Sequence, residues 1–217
     1  MAEAYFGRLL TAMVTPFNAD GSVNCEAAAD FAEWLLANGS DGLVVEGSTG
    51  EAATMFMDEK IAVLKAVVER VNGRAPVIVG AGTNCTASTL ELINAVEACG
   101  VDGLLVVGPY YNKPTQEGYY QHFAAVAKST NLPIIVYNVP GRTGSNIEPK
   151  TVARLAAEFP NIVAVKEAAG NVAQTAELFR VLPENVTIYS GDDGLVLPFM
   201  AVGARGVISV LGNIGGQ

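Results

Sequence analysis

Apolar residues in this chain come in short continuous bursts: Leu9 to Val14, Gly42 to Glu46, Pro76 to Gly80, Gly103 to Val107, Pro133 to Tyr137, Ile162 to Lys166, Val186 to Tyr189 and Gly206 to Val210. Bursts of this length without polar alternation read as strands buried on both faces, as in a parallel sheet covered by helices. Between them, apolar positions recur at helical spacing, at Ala28, Phe31, Trp34 and Leu35 and again at Ile61, Leu64 and Val68. Acids gather toward the starts of these stretches, and Gly39, Gly73 and Gly100 follow their ends, where helices begin and stop. The bursts start roughly 20 to 35 residues apart, the spacing that βαβ units require.

Eight such units without a break in composition predict one α/β domain over residues 1–217, a closed (β/α)8 TIM barrel rather than an open doubly wound sheet. The G-x-G-x-x-G fingerprint of a dinucleotide fold is missing after the first burst, where Thr15-Pro16-Phe17-Asn18 stands. Barrels of this class typically run to about 250 residues. After the last burst only the glycine-rich stretch Gly212 to Gln217 remains, so the barrel is expected to lack its eighth helix and a C-terminal helical segment. The outer face of strands eight and one is then expected to be apolar and to favour self-association.

Composition narrows the function. Half of the residues are hydrophobic and 16% are charged, which excludes a disordered chain. The net charge is -9 and no stripe of Lys and Arg follows a phosphate backbone, so nucleic acid is not an expected partner. Near the N-terminus, Glu3 and Arg8 precede a six-residue apolar run, too short for a signal peptide or a membrane span; a cytoplasmic location is expected. Cys25, Cys85 and Cys99 are odd in number and lack C-x-x-C spacing, which argues against a disulfide framework or a zinc site and predicts ordinary buried thiols. The single histidine, His122, is expected on a helix surface, and no G-x-S-x-G accompanies it. Asp192 and Asp193 read as acids stabilising a helix start, so neither a metal nor a cofactor is expected.

In a barrel the chemistry sits at the C-terminal ends of the strands. Lys166 ends an apolar, β-branched run, where an ammonium group loses hydration and its pKa falls toward neutrality. A neutral lysine amine attacks carbonyls to form Schiff bases. Alone, such a lysine would snorkel from the strand end; its neighbours argue otherwise. Tyr137 ends the adjacent strand and can relay protons within reach of the amine. Period two places Ile162, Ala164 and Lys166 on one face, with the small Ala164 leaving room for the lysine stem. Gly47-Ser48-Thr49-Gly50 offers successive N–H groups and hydroxyls for a carboxylate or phosphate oxygen, or else a plain turn capping the next helix. Arg142, on a Pro- and Gly-shaped loop after the fifth strand, suits a second carboxylate.

Five motifs in order carry a resemblance: Gly47-Ser48-Thr49-Gly50-Glu51, Pro109-Tyr110-Tyr111-Asn112-Lys113-Pro114, Tyr137-Asn138-Val139-Pro140-Gly141-Arg142-Thr143-Gly144, Val165-Lys166-Glu167-Ala168 and Ser190-Gly191-Asp192-Asp193. Together the chain resembles the dihydrodipicolinate synthase family over nearly its whole length. The resemblance implies condensation of pyruvate with aspartate 4-semialdehyde, a step toward diaminopimelate and lysine. It assigns the Schiff base to Lys166 and a proton relay to Tyr137, Ser48 and Tyr111. Thr49 and the nest with Gly50 would hold the pyruvate carboxylate, Arg142 the carboxylate of the semialdehyde, and the Ile208 carbonyl would lie near the lysine. It further implies a homodimer or larger homo-oligomer in which Tyr111 reaches the partner's site.

Three departures stand out. Ser48 replaces the threonine of many synthases, and the same Gly-Ser-Thr-Gly-Glu is common in N-acetylneuraminate lyases. Met57, Lys60 and Ser88 occupy the region where lysine-inhibited members carry His and Glu, although Asn84 and Tyr110 remain, so weak or absent inhibition by lysine is expected. The short C-terminus puts tetramer formation in doubt. The competing readings are a pyruvate-dependent sugar-acid aldolase, against which Arg142 argues, and a catalytically silent barrel serving assembly.

Overall fold

The computed structural model describes residues 3–215. Eight parallel strands close in sequence order: β1 (Leu9–Ala12), β2 (Gly42–Val45), β3 (Val77–Gly80), β4 (Gly103–Val107), β5 (Ile134–Asn138), β6 (Ile162–Glu167), β7 (Thr187–Ser190) and β8 (Gly206–Ser209). β1 pairs with both β2 and β8, which seals the barrel. Each strand coincides with a predicted apolar burst to within about two residues. Helices α1 (Cys25–Ala37), α2 (Met57–Val71), α3 (Thr86–Glu97), α4 (Gln116–Ser129), the single turn α5 (Pro140–Thr143), α6 (Pro149–Glu158), α7 (Val172–Val181) and α8 (Val196–Ala201) fill the crossovers. Asn24, Thr115 and Asn171 cap α1, α4 and α7 by accepting backbone N–H groups of the first turn.

Strand residues divide between two cores. One face packs on the helices, while the other fills the barrel with Leu10, Val44, Ile78, Leu105, Ile135 and Ile208 among others. The N-terminal mouth is plugged. The Phe6 N–H donates to the Tyr189 hydroxyl at 3.0 Å, which in turn donates to the Gly7 carbonyl at 3.1 Å. Gly103 makes way for this plug, because a Cβ there would lie 2.7 Å from the Phe6 ring.

Three expectations are corrected. Strict period two fails in β6, where the register against β5 steps from Ile162 to Ala164; this bulge turns Ile162 toward the helices while Ala164 stays inside beneath Lys166. His122 is buried rather than on the surface, because its face of α4 packs toward α3. There Nδ1 meets Thr86 Oγ1 at 2.9 Å, and burial pushes the imidazole pKa down to about 4. Cys85 is exposed in the loop before α3, and Cys25 and Cys99 are half-buried. Asp193 does more than begin a helix: it accepts Ser209 Oγ at 2.5 Å and the N–H groups of Val210 and Leu211 at 3.0 and 2.9 Å. After β8 the described residues form a single 3-10 turn, Leu211–Asn213, whose Asn213 side chain bonds to the carbonyl of Ala12 and the N–H of Val14. Val210, Leu211 and Ile214 there are exposed, as are Leu197 and Met200 on α8.

Candidate active site

A cavity of about 820 Å³ opens at the C-terminal ends of the strands. Lys166 enters it from β6 and is only 5% exposed. Burial drives its pKa down to about 8; Arg142 pushes in the same direction and Asp193 resists. About one amine in ten is then neutral at pH 7. Tyr137 is the direct register partner of Lys166, and the lysine Nζ lies over its ring, 4.4 Å from the centroid. The ring face offers the ammonium a partial substitute for water. Burial raises the pKa of the Tyr137 phenol, while Ser48 and Arg142 pull it back. A phenol that stays protonated is a donor, ready to return a proton to an oxygen formed on the neighbouring carbon.

The segment after β2 folds as a turn in which the N–H groups of Gly50, Glu51 and Ala52 are spent on Gly47 and Ser48 carbonyls. The N–H groups of Ser48 and Thr49 have no acceptor among the described residues, and both residues line the cavity. They form a short nest suited to an anionic oxygen. Gly50 stands behind it. Its N–H is used in the turn, its carbonyl accepts Thr15 Oγ1 at 2.6 Å, and a Cβ would lie 2.9 Å from the Met13 carbonyl.

Arg142 sits on α5, which begins at Pro140 and ends on Gly144 at a φ of 76°. It is exposed at the cavity wall with no acidic side chain within salt-bridge distance among the described residues. Tyr111 occupies the rim, 86% exposed and in the left-handed region at φ 71°, with its N–H on the Thr143 carbonyl. Ile208 is buried in the inner core of β8 and does not line the cavity. Lys166, Tyr137, Ser48, Thr49, Arg142 and Tyr111 thus share one cavity wall, whereas Gly50 and Ile208 support it from behind.

One residue escaped sequence reasoning although its signal matched that of Lys166. Glu46 follows β2, is 2% exposed and lines the cavity, yet neither carboxyl oxygen has a hydrogen-bond partner. Burial raises its pKa to about 8, against the pull of Lys60. A charged residue closing an apolar burst was the common clue. Among the described residues no group of three His, Cys, Asp or Glu is placed to hold a metal ion, and no helix is long and apolar enough to cross a membrane. The cavity brings together a partly neutral amine, a buried phenol, a two-donor nest and a guanidinium without an acidic partner among the described residues.

A profile of the dihydrodipicolinate synthetase family matches residues 5–217. A 4-hydroxy-tetrahydrodipicolinate synthase from Desulforamulus reducens is 54% identical over 217 residues, all of this chain and 73% of that protein. The crystal structure of a dihydrodipicolinate synthase from Bacillus anthracis superposes with a TM-score of 0.95 at 46% identity, covering 97% of this chain and 72% of the other. A chloride-inhibited dihydrodipicolinate synthase from Acinetobacter baumannii, complexed with pyruvate, matches with a TM-score of 0.93 at 44% identity over 96% of this chain and 72% of that one.

Proposed function

The chain belongs to the dihydrodipicolinate synthetase family, and from that membership we propose that it condenses pyruvate with L-aspartate 4-semialdehyde on Lys166. The neutral amine adds to C2 of pyruvate, and the carbinolamine loses water to give the iminium. Loss of a C3 proton makes an enamine, whose C3 attacks the aldehyde carbon of the semialdehyde. The amine of the semialdehyde then attacks C2 and expels the lysine, closing the ring of 4-hydroxy-tetrahydrodipicolinate. One water is lost overall and Lys166 is restored.

The observation that carries this reading is the register pair of Tyr137 and Lys166, with the buried amine 4.4 Å from the ring centroid. Tyr137, with Ser48, shuttles the protons of carbinolamine formation and collapse. The Ser48 and Thr49 N–H groups bind the pyruvate carboxylate, and the planar guanidinium of Arg142 takes the carboxylate of the semialdehyde. Gly50 shapes the nest from behind, and Ile208 shapes the barrel wall near the lysine.

The enzyme acts as a homodimer or larger homo-oligomer. Support comes from the cavity rim, where Tyr110 and Tyr111 are exposed, and from the exposed Phe56 and Met57. A second copy covering this rim would bring its Tyr111 into the relay. A cytoplasmic location fits the three free cysteines.

Incubation with pyruvate and borohydride, followed by mass spectrometry, tests the core of the reading. A reduced pyruvate adduct on Lys166, absent in Lys166→Ala, is expected; no adduct on the folded wild-type protein turns the reading toward a silent barrel. Turnover with aspartate semialdehyde and not with sugar-acid substrates separates the synthase from an aldolase of the same fold.

A further inference from the structure

Behind the cavity, on the face of β5 and β6 opposite Tyr137 and Lys166, lies a buried polar cluster that no step above uses. Asn138 and Glu167 are register partners and both are about 1% exposed. Every neighbour of the Glu167 carboxyl is a donor. Asn138 Nδ2 reaches Oε1 and Oε2 at 3.2 and 3.1 Å, the Ala169 N–H reaches Oε1 at 2.7 Å, and Gln174 Nε2 reaches Oε2 at 3.1 Å.

Asn138 passes this anchorage on to the loop that follows β5. Its Nδ2 donates to Asn146 Oδ1 at 2.8 Å, and its Oδ1 accepts the Ile147 N–H at 3.0 Å. Gln174 grips the same foot from α7: its Oε1 accepts Asn146 Nδ2 at 2.8 Å and its Nε2 donates to Asn146 Oδ1 at 3.1 Å. The segment carrying Arg142 is therefore a loop with both feet fastened to partners of one carboxylate. Because that carboxylate belongs to the residue next to Lys166, the loop and the amine share a reference point.

We propose that Glu167 is a positioning residue for the second substrate: its carboxylate fixes Asn138 and Gln174, and through them holds Arg142 at the height above Lys166 that the incoming carboxylate requires. The inference rests on the roles proposed above for Lys166 and Arg142. A carboxylate is needed because both oxygens face donors. A glutamine would turn an N–H toward another N–H beside the buried Asn138, and half-satisfied networks rearrange. A displacement of about 1 Å at a substrate-orienting group costs on the order of 100-fold in rate.

Two variants test this, Glu167→Gln and Asn146→Ala, the second cutting the loop foot while leaving the Asn138–Glu167 bonds in place. Each is compared with wild type by urea unfolding, borohydride trapping of pyruvate and steady-state kinetics. The expected result is a folded protein that traps pyruvate within about three-fold of wild type, with the KM for semialdehyde raised roughly 10- to 100-fold. The exchange Glu167→Gln with Gln174→Glu returns an acceptor to the cluster and is expected to recover at least half of that loss on a logarithmic scale. An unmoved KM in both single variants, or pyruvate trapping and semialdehyde use falling in parallel, overturns the proposal while leaving the Schiff-base reading intact. Absence of a pyruvate adduct in wild type itself overturns that reading and this proposal together.

Discussion

Replacing Lys166 with methionine should abolish the reaction and stabilise the fold at neutral pH. The native state holds this lysine with a pKa of about 8 against an ordinary value of 10.5, mainly because it is buried. A tenfold change in proton affinity is worth about 1.36 kcal/mol, so a folded chain below pH 8 carries a penalty of about 3 kcal/mol for keeping the ammonium charged. Between pH 8 and 10.5 the unfolded chain binds a proton that the folded chain has released. Wild-type stability attributable to this group therefore rises with pH across that window, and the penalty is fully present beneath it. Methionine keeps the length of the stem without the charge, and loses a cation–π contact worth about 0.5–2 kcal/mol. Urea unfolding of both proteins at pH 7 should show the variant more stable by about 2 kcal/mol, a shift of roughly 1 M in midpoint. Near pH 10.5 the gap should close. A gap of equal size at both pH values would mean that packing, not charge, accounts for it, and a variant less stable at pH 7 would refute the desolvated amine.

Glu46 offers the mirror case. Its folded pKa of about 8 lies above the ordinary 4.5, so the folded state binds the extra proton and wild-type stability falls as pH rises between these values. Glu46→Gln should gain stability over wild type across that window, approaching about 4 kcal/mol by pH 8; thermal melts at pH 5 and pH 8 with the same difference would contradict it. Tyr137→Phe keeps the ring beneath the amine but removes the proton donor, and kcat should fall on the order of 10²- to 10⁴-fold, whereas a loss confined to KM would count against a relay role. Arg142→Ala should raise the semialdehyde KM far more than it slows pyruvate trapping. It should also move the acid limb of trapping to higher pH, since Arg142 helps to lower the lysine pKa; an unmoved limb would deny the electrostatic coupling.

The eight strands were legible because burial on both faces leaves an unbroken apolar signal, and their parallel order follows from the spacing of βαβ units. Lys166 and Tyr137 could be paired before the fold was seen, since adjacent parallel strands in a barrel bring their C-terminal ends together. The bulge in β6 was not legible: it arises from the fit of β6 against β5, and nothing in Ile162-Val163-Ala164 marks an extra residue. His122 was misplaced because a polar residue in a helix pattern gives no hint that Thr86, 36 positions away, will receive it. The clasp of Asn138, Asn146, Glu167 and Gln174 was equally hidden. Each residue alone is a plausible surface polar group, and only the closed barrel brings the four into one hydrogen-bonded cluster.

The plug at the N-terminal mouth has a kinetic side. Among the described residues Phe6 and Tyr189 fill that end, and the cavity opens at the opposite one. On the proposed reaction, pyruvate and the semialdehyde both enter at the rim that carries Arg142 and Tyr111. The two reactants and the cyclic product of that reaction share this one mouth, and product left at the rim is expected to compete with incoming pyruvate.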